Sequence, residues 1–175
     1  MSATPIYIGS CQISQENNIN VTGERLYLTA DNGRAVVIPH NIGGRFIWKI
    51  TEDGVAPRIM LTLMPGGSIY PPPEELALTL GPGIGGMNEM KILVEPARPK
   101  DQAQVWELKN MQVIKKSEPK ILKAEIHPIE GVQYSAATET IEGKGEGLET
   151  YVNAVPLDWT SWDRTWQFEY ITGNE

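Results

Sequence analysis

The residues with the chemistry to act on a substrate are few. Cys11 is the one cysteine, and His40 and His127 are the two histidines. A cysteine beside a histidine is the pairing that makes a nucleophilic thiolate. Cys11, however, alternates with Ile13 in an apolar run, where a thiol behaves as a small buried hydrophobe. A single cysteine excludes an intrachain disulfide and a cysteine-built zinc site, and the histidines have no metal-ligand spacing. Carboxylates stand at Glu74-Glu75, Asp31 and Asp158/Asp163, in turn-like surroundings where no spacing sets one against another for acid–base work. The run Gly81-Pro82-Gly83-Ile84-Gly85-Gly86 contains the spacing G-x-G-x-x-G. That spacing cradles a pyrophosphate when it opens a helix and an acidic residue follows about twenty positions on. Here Met87-Asn88-Glu89-Met90-Lys91 leads into another strand-like run, so a connection between strands is expected. No catalytic residue, metal or cofactor is expected, and the chain reads as a binder, not an enzyme.

The elements that would position a binding surface are short. Gly (17) and Pro (13) punctuate all 175 residues, and twelve apolar runs lie between them: 7–13, 26–30, 35–38, 46–50, 58–63, 76–80, 91–94, 105–108, 121–126, 132–136, 151–155 and 165–171. Helical periodicity over eleven or more residues is absent, and 73–78 and 84–90 offer single turns at most. The pattern is all-β, and the length suits one domain of 1–175.

A repeat orders these runs. Val36-Val37-Ile38-Pro39 precedes Phe46-Ile47-Trp48-Lys49-Ile50; Leu93-Val94-Glu95-Pro96 precedes Gln104-Val105-Trp106-Glu107-Leu108; Ala154-Val155-Pro156 precedes Arg164-Thr165-Trp166-Gln167-Phe168. Successive tryptophans are 58 and 60 residues apart, one third of the chain. A fixed long period means one supersecondary unit used repeatedly. Three units of four strands predict a β-trefoil with repeats near 1–53, 54–112 and 113–175. In each unit the Trp and the apolar residue two positions on share a face, toward a common interior. Each Pro would stop the strand before it, because it brings no donor to the ladder.

Charge narrows the partners. Fifteen Lys and Arg against 22 Asp and Glu give −7, and phosphate binding depends on clustered cations, so nucleic acid is not expected. The doublet Lys115-Lys116 reads as a solvated turn. No run approaches the ~18 apolar residues of a membrane span, so no membrane partner is expected. The first thirty residues lack a basic start and an apolar core, which predicts a cytoplasmic chain, with release from the cell left open. The triplet Asn20-Val21-Thr22 then belongs to a polar loop instead of a glycosylated one. A monomer is expected.

Binding falls to the loops. Residues 14–25 are polar and end near Gly23; residues 39–45 hold His40, Asn41, Gly43 and Gly44; residues 64–75 hold Gly66-Gly67 and Pro71-Pro72-Pro73. Proline-rich loops on a stiff core lose less entropy on docking.

The stretch Leu26-Tyr27-Leu28-Thr29-Ala30-Asp31-Asn32-Gly33-Arg34-Ala35-Val36-Val37, followed by Ile47-Trp48-Lys49-Ile50-Thr51, resembles the first repeat of the mycocypins. The ending Tyr151-Val152-Asn153-Ala154-Val155-Pro156 through Trp166 resembles their macrocypin branch. These are fungal β-trefoil inhibitors of papain-like cysteine proteases, with defence as the implied role. The resemblance covers the first fifty and last twenty-five residues, and the middle by pattern alone. It implies occlusion of the protease cleft by two loops, which map to Asn20, Val21, Thr22, Gly23 and Glu24 and to Pro39, His40, Asn41, Ile42 and Gly43. Gly23 would allow a backbone to lie over a catalytic thiol. Some mycocypins also block legumain or trypsin through an Asn or a basic residue between the fifth and sixth strands. Here residues 59–87 contain no Asn, Lys or Arg, which departs from that pattern. Three alternatives remain: a serine protease inhibitor of the fungal β-trefoil type, a ricin-B-like lectin, and a storage or defence protein whose partner is neither protease nor sugar. The lectin signature Q-x-W occurs once, at Gln104-Val105-Trp106, with Phe46 and Arg164 in the equivalent places.

Overall fold

Burial with a period of two runs along the strands: Trp166, Phe168 and Tyr170 are buried while Gln167 and Glu169 are not, and Leu122, Ala124 and Ile126 repeat the pattern. The computed structural model describes residues 9–19, 25–31, 33–39, 46–52, 58–63, 75–83, 90–98, 101–117, 120–129, 133–139, 150–158 and 162–171. Within them the chain is all-β, with a 3-10 turn at Gln102–Gln104. The strands are β1 (Gly9–Ile19), β2 (Arg25–Asp31), β3 (Arg34–Pro39), β4 (Ile47–Glu52), β5 (Arg58–Leu63), β6 (Leu76–Gly83) and β7 (Met90–Pro96). They continue with β8 (Trp106–Lys115), β9 (Ile121–Pro128), β10 (Tyr134–Glu139), β11 (Thr150–Tyr151), β12 (Asn153–Pro156), β13 (Trp162–Asp163) and β14 (Trp166–Tyr170).

The pairings are antiparallel and close on themselves. β1 pairs with β4 and β14, β4 with β5, β5 with β8, β8 with β9, and β9 with β14, a circuit of six strands. Three pairs attach to it: β2–β3, β6–β7 and β10–β12. These touch one another as well, β3 meeting β7 at Arg34 and Leu93, β12 meeting β7, and β11 meeting β3. The β3–β7 contact completes a second, nine-strand circuit through β2, β1, β14, β9, β8, β5 and β6. Closure leaves the core strands without the open edge that invites aggregation.

Trp48, Trp106 and Trp166 are the largest side chains of this core and are wholly buried. Each indole N–H donates to a backbone carbonyl: Trp48 Nε1 to Leu28 O (3.0 Å), Trp106 Nε1 to Leu78 O (2.8 Å) and Trp166 Nε1 to Ala136 O (3.0 Å). The acceptors lie on β2, β6 and β10, the first strand of each attached pair. The face-sharing partners Ile50, Leu108 and Phe168 are buried with them. Pro39, Pro96 and Pro156 end β3, β7 and β12, as the missing donor requires.

Three differences from the expected strands have physical causes. The run 151–155 is interrupted at Val152, because Thr150–Tyr151 ladders on β3 whereas Asn153–Pro156 ladders on β10 and β7; Val152 N, donating to Ala35 O (2.9 Å), marks the change of partner. With the short β13 this makes fourteen strands among the described residues, where the sequence predicts twelve. β1 continues to Ile19, so residues 14–19 are strand and not loop; Ser14 and Gln15 are buried there. β8 continues to Lys115 through two register shifts, and its bulged sequence, in which apolar residues do not alternate, hid it from a period-two reading.

Trp106→Phe should lower stability by about 1–3 kcal/mol through the lost hydrogen bond and ring volume, and Trp106→Ala by about 3–5 kcal/mol. Urea unfolding measures both.

Candidate functional site

The two loops expected to bind leave the sheet from neighbouring strand ends. Ile19 of β1 pairs with Arg25 of β2, and Leu26 of β2 pairs with Pro39 of β3. The chain therefore exits after Ile19, returns at Arg25 and exits again after Pro39 within three adjacent strands. Arg25 fixes the first stem by donating from Nε to Ser14 Oγ (3.1 Å) and from Nη2 to Gln15 O (3.0 Å). The second stem rests on a small apolar cluster of its own, Val36, Ile38 and Phe46 with Tyr27 packed against it. Tyr27 and Phe46 meet edge to face, 6.1 Å between centroids at 72°. Phe46 is where the chain returns after the second loop. Asn20, Val21, Thr22, Gly23, Glu24, His40, Asn41, Ile42 and Gly43 lie outside the described residues, and Pro39 is placed by its backbone at the end of β3.

Of the residues that could do chemistry, His40 and Glu74 lie outside the described residues, and Cys11 and His127 are kept apart. Cys11 is fully buried opposite Trp48 and Tyr170, and burial pushes its thiol far above the ordinary range. Tyr170 is pushed up in the same way, first by burial and then by the neighbouring thiol. His127 lies on β9 opposite Glu107, so no cysteine–histidine pair forms between Cys11 and His127. His127 Nε2 instead meets Glu125 Oε1 at 2.9 Å, two positions away on its own strand, while Nδ1 is buried without a partner among the described residues. Asp163 is buried, and its carboxylate accepts from Thr165 N (3.3 Å). Among the described residues no group of three or more His, Cys, Asp or Glu is placed to hold a metal. Gly81 and Gly83 belong to β6, and β7 follows at Met90. A Cβ at Gly81 would stand 2.9 Å from Leu93 Cγ and 3.0 Å from Lys91 O, so close strand packing accounts for that glycine.

Gln104 is also spent on structure. It is fully buried, donating from Nε2 to Pro96 O (3.0 Å) and Thr79 Oγ1 (3.1 Å) and accepting from Arg98 N at Oε1 (2.7 Å). Gln15, Thr138 and Asp163 form a second buried set: Thr138 Oγ1 donates to Gln15 Oε1, and Gln15 Nε2 donates to Asp163 O (3.3 Å). Arg34 joins the first and last thirds, donating from Nη2 to Asn153 Oδ1 (2.9 Å) and lying 4.3 Å over the Tyr151 ring. None of these polar groups was legible as a network in the sequence, since their partners lie 6 to 148 positions away.

The fold and site define a closed β-barrel scaffold that carries loops on ordered stems. No known family model matches the sequence, and neither does any curated protein. Solved structures do match in fold. The cytolethal distending toxin of Actinobacillus actinomycetemcomitans aligns with TM-score 0.59 at 11% identity, covering 95% of this chain and 94% of that one. That of Haemophilus ducreyi gives 0.59 at 12%, covering 99% and 94%. A nicked CARDS toxin gives 0.54 at 16%, covering 94% of this chain and 26% of the toxin. At such identities the likeness is one of fold.

The buried thiol and phenol keep their protons in the folded chain at pH values where the unfolded chain releases them. Their contribution is complete below about pH 8.5 and declines above it, by about 1.4 kcal/mol per pH unit for each group once it ionises in the unfolded state. Stability against urea should therefore fall from about pH 9 upward, and Cys11→Ala should remove the earlier part of that fall. At pH 8 a thiol reagent should leave the native chain unmodified and react on unfolding.

Proposed function

We propose that the chain is a β-trefoil protease inhibitor that occludes the cleft of papain-like cysteine proteases with residues 20–24 and 39–43. The trefoil is the reading that accounts for a six-strand circuit, three attached strand pairs and three tryptophans making the same bond in repeats near 1–53, 54–112 and 113–175. The observation that carries the functional reading is the adjacency of the loop stems at Ile19, Arg25 and Pro39. Two binding segments that start from adjacent, braced strand ends suit the occlusion of a single cleft, and occlusion needs no reactive group of its own. Preorganised stems spare it the entropy of ordering on contact, and an interface of roughly 800 Å² per partner suffices. The resemblance of residues 26–37 and 47–51 to the mycocypins supports the same partner.

The lectin reading is the weaker one. Its single signature residue, Gln104, spends both ends of its amide inside the protein. Retention on sugar columns would favour it over the inhibitor.

Titration of papain and a cathepsin should give tight, reversible inhibition, and absence of inhibition at micromolar chain would remove this reading. Gly23→Arg should weaken inhibition by about tenfold or more, roughly 1.4 kcal/mol, without changing thermal stability. Legumain and trypsin should stay active, since residues 59–87 present no Asn, Lys or Arg for their specificity pockets. Trypsin inhibition would point to the serine-protease alternative.

A further inference from the structure

Among the described residues, the far half of β8 has the most unusual surface. From Lys109 to Ser117 every residue is exposed, although most of this stretch is paired strand. Met111 is 40% exposed, Val113 38% and Ile114 52%, three of the six large hydrophobic side chains found exposed among the described residues. β5 supports β8 at Trp106 and Glu107, whereas the register of Lys109 through Lys115 runs against β9 alone. Asn110 takes a positive φ of 55°, and the register shifts between Lys109 and Gln112 and again between Val113 and Lys115. The strand is thereby bent and its aliphatic side chains turned outward. Ile171, 42% exposed, lies at the same end: Tyr170 N donates to Lys120 O (2.9 Å), and Lys120 Nζ lies 4.4 Å over the Tyr170 ring.

Charge concentrates on the same segment. Residues 107–125 hold Lys109, Lys115, Lys116, Lys120 and Lys123 against Glu107, Glu118 and Glu125, with Lys109 Nζ paired to Glu107 Oε1 (3.2 Å); the stretch is +2 in a chain of −7, which leaves −9 on the remainder. A molecule so polarised is drawn to an anionic surface by this end and repelled from it by every other. The side-chain types select among anionic partners. Residues 109–123 contain no aromatic residue and no arginine. Single-stranded nucleic acid is held by aromatic stacking, and protein hot spots draw on Trp, Tyr and Arg. Aliphatic side chains set among lysines are what a charged lipid interface takes up, the chains entering between headgroups while the ammonium groups stay at the phosphates.

We propose that the β8–β9 end of the barrel docks on an anionic lipid surface through Met111, Val113 and Ile114, with Lys115 and Lys116 at the headgroups. This departs from the expectation of no membrane partner, which rested on the lack of a spanning segment, and it stands independently of the inhibitor reading. The test is co-sedimentation of the full chain with vesicles. Binding to phosphatidylcholine vesicles containing about 30% phosphatidylserine should exceed binding to pure phosphatidylcholine by at least about tenfold and fade with added salt, since each lysine near such a surface contributes on the order of fivefold. K115E/K116E and, separately, I114D should each lose most of this binding while keeping the native circular dichroism and urea unfolding midpoint, because all three side chains are exposed. Three results would overturn the proposal: no preference for the anionic vesicles, unchanged binding by both variants, or an exposed strand that only joins a second copy. The last would show as a concentration-dependent dimer, abolished in I114D, in a chain that ignores lipid.

Discussion

An indole N–H buried in a dry core must find an acceptor, and here it finds one three times on the backbone of a neighbouring strand. Each bond runs from a barrel strand (β4, β8 or β14) to the first strand of an attached pair (β2, β6 or β10). The distance and angle of that bond fix how far each pair stands from the barrel. Because the rings also fill the centre of the core, the strands cannot shift without leaving both a void and an unpaired donor. The remaining organisation follows: the pairs, once held, meet one another through Arg34 and Leu93, through β7 and β12, and through Val94 N on Gly33 O.

The segments proposed to bind start where this rigid frame stops. The stems at Ile19, Arg25 and Pro39 are held by ladder bonds, by the Arg25 guanidinium and by the Tyr27–Phe46 cluster, so the segments between them start from fixed points. Their closeness comes from β2 pairing with both β1 and β3, which no local sequence pattern reports. The same frame buries several polar and reactive groups among the described residues. Cys11 is sealed between Trp48 and Tyr170, Gln104 ties the Arg98 N–H to the Pro96 carbonyl, and Gln15 bridges the Thr138 hydroxyl and the Asp163 carbonyl. The far half of β8, in contrast, extends beyond the support of β5 and carries its aliphatic side chains and lysines into solvent.

The polar part of the molecule shows most clearly where local reading stops. Residues 14–19 are strand although mostly polar, and 109–115 although their hydrophobic side chains are exposed and do not alternate, because their ladders are supplied by β2, β14 and β9 and not by burial of alternate side chains. Bulges add residues to β8 and shift its alternation, so a period-two search finds its first three residues and loses the rest. At the candidate site the residue types were visible in the sequence, whereas the adjacency of the two stems was not.

By itself the sequence determined the all-β class, the spacing of 58 and 60 between core tryptophans, the faces they share with Ile50, Leu108 and Phe168, and the strand ends at Pro39, Pro96 and Pro156. Each of these depends on side-chain period or on a missing backbone donor, which are local properties. Tertiary structure decided the closed circuit, the division of β11 from β12 at Val152, the acceptors of the three indoles and the side-by-side exit of the loops. Those depend on which distant strand supplies the partner, and a backbone amide carries no record of that choice in its own sequence.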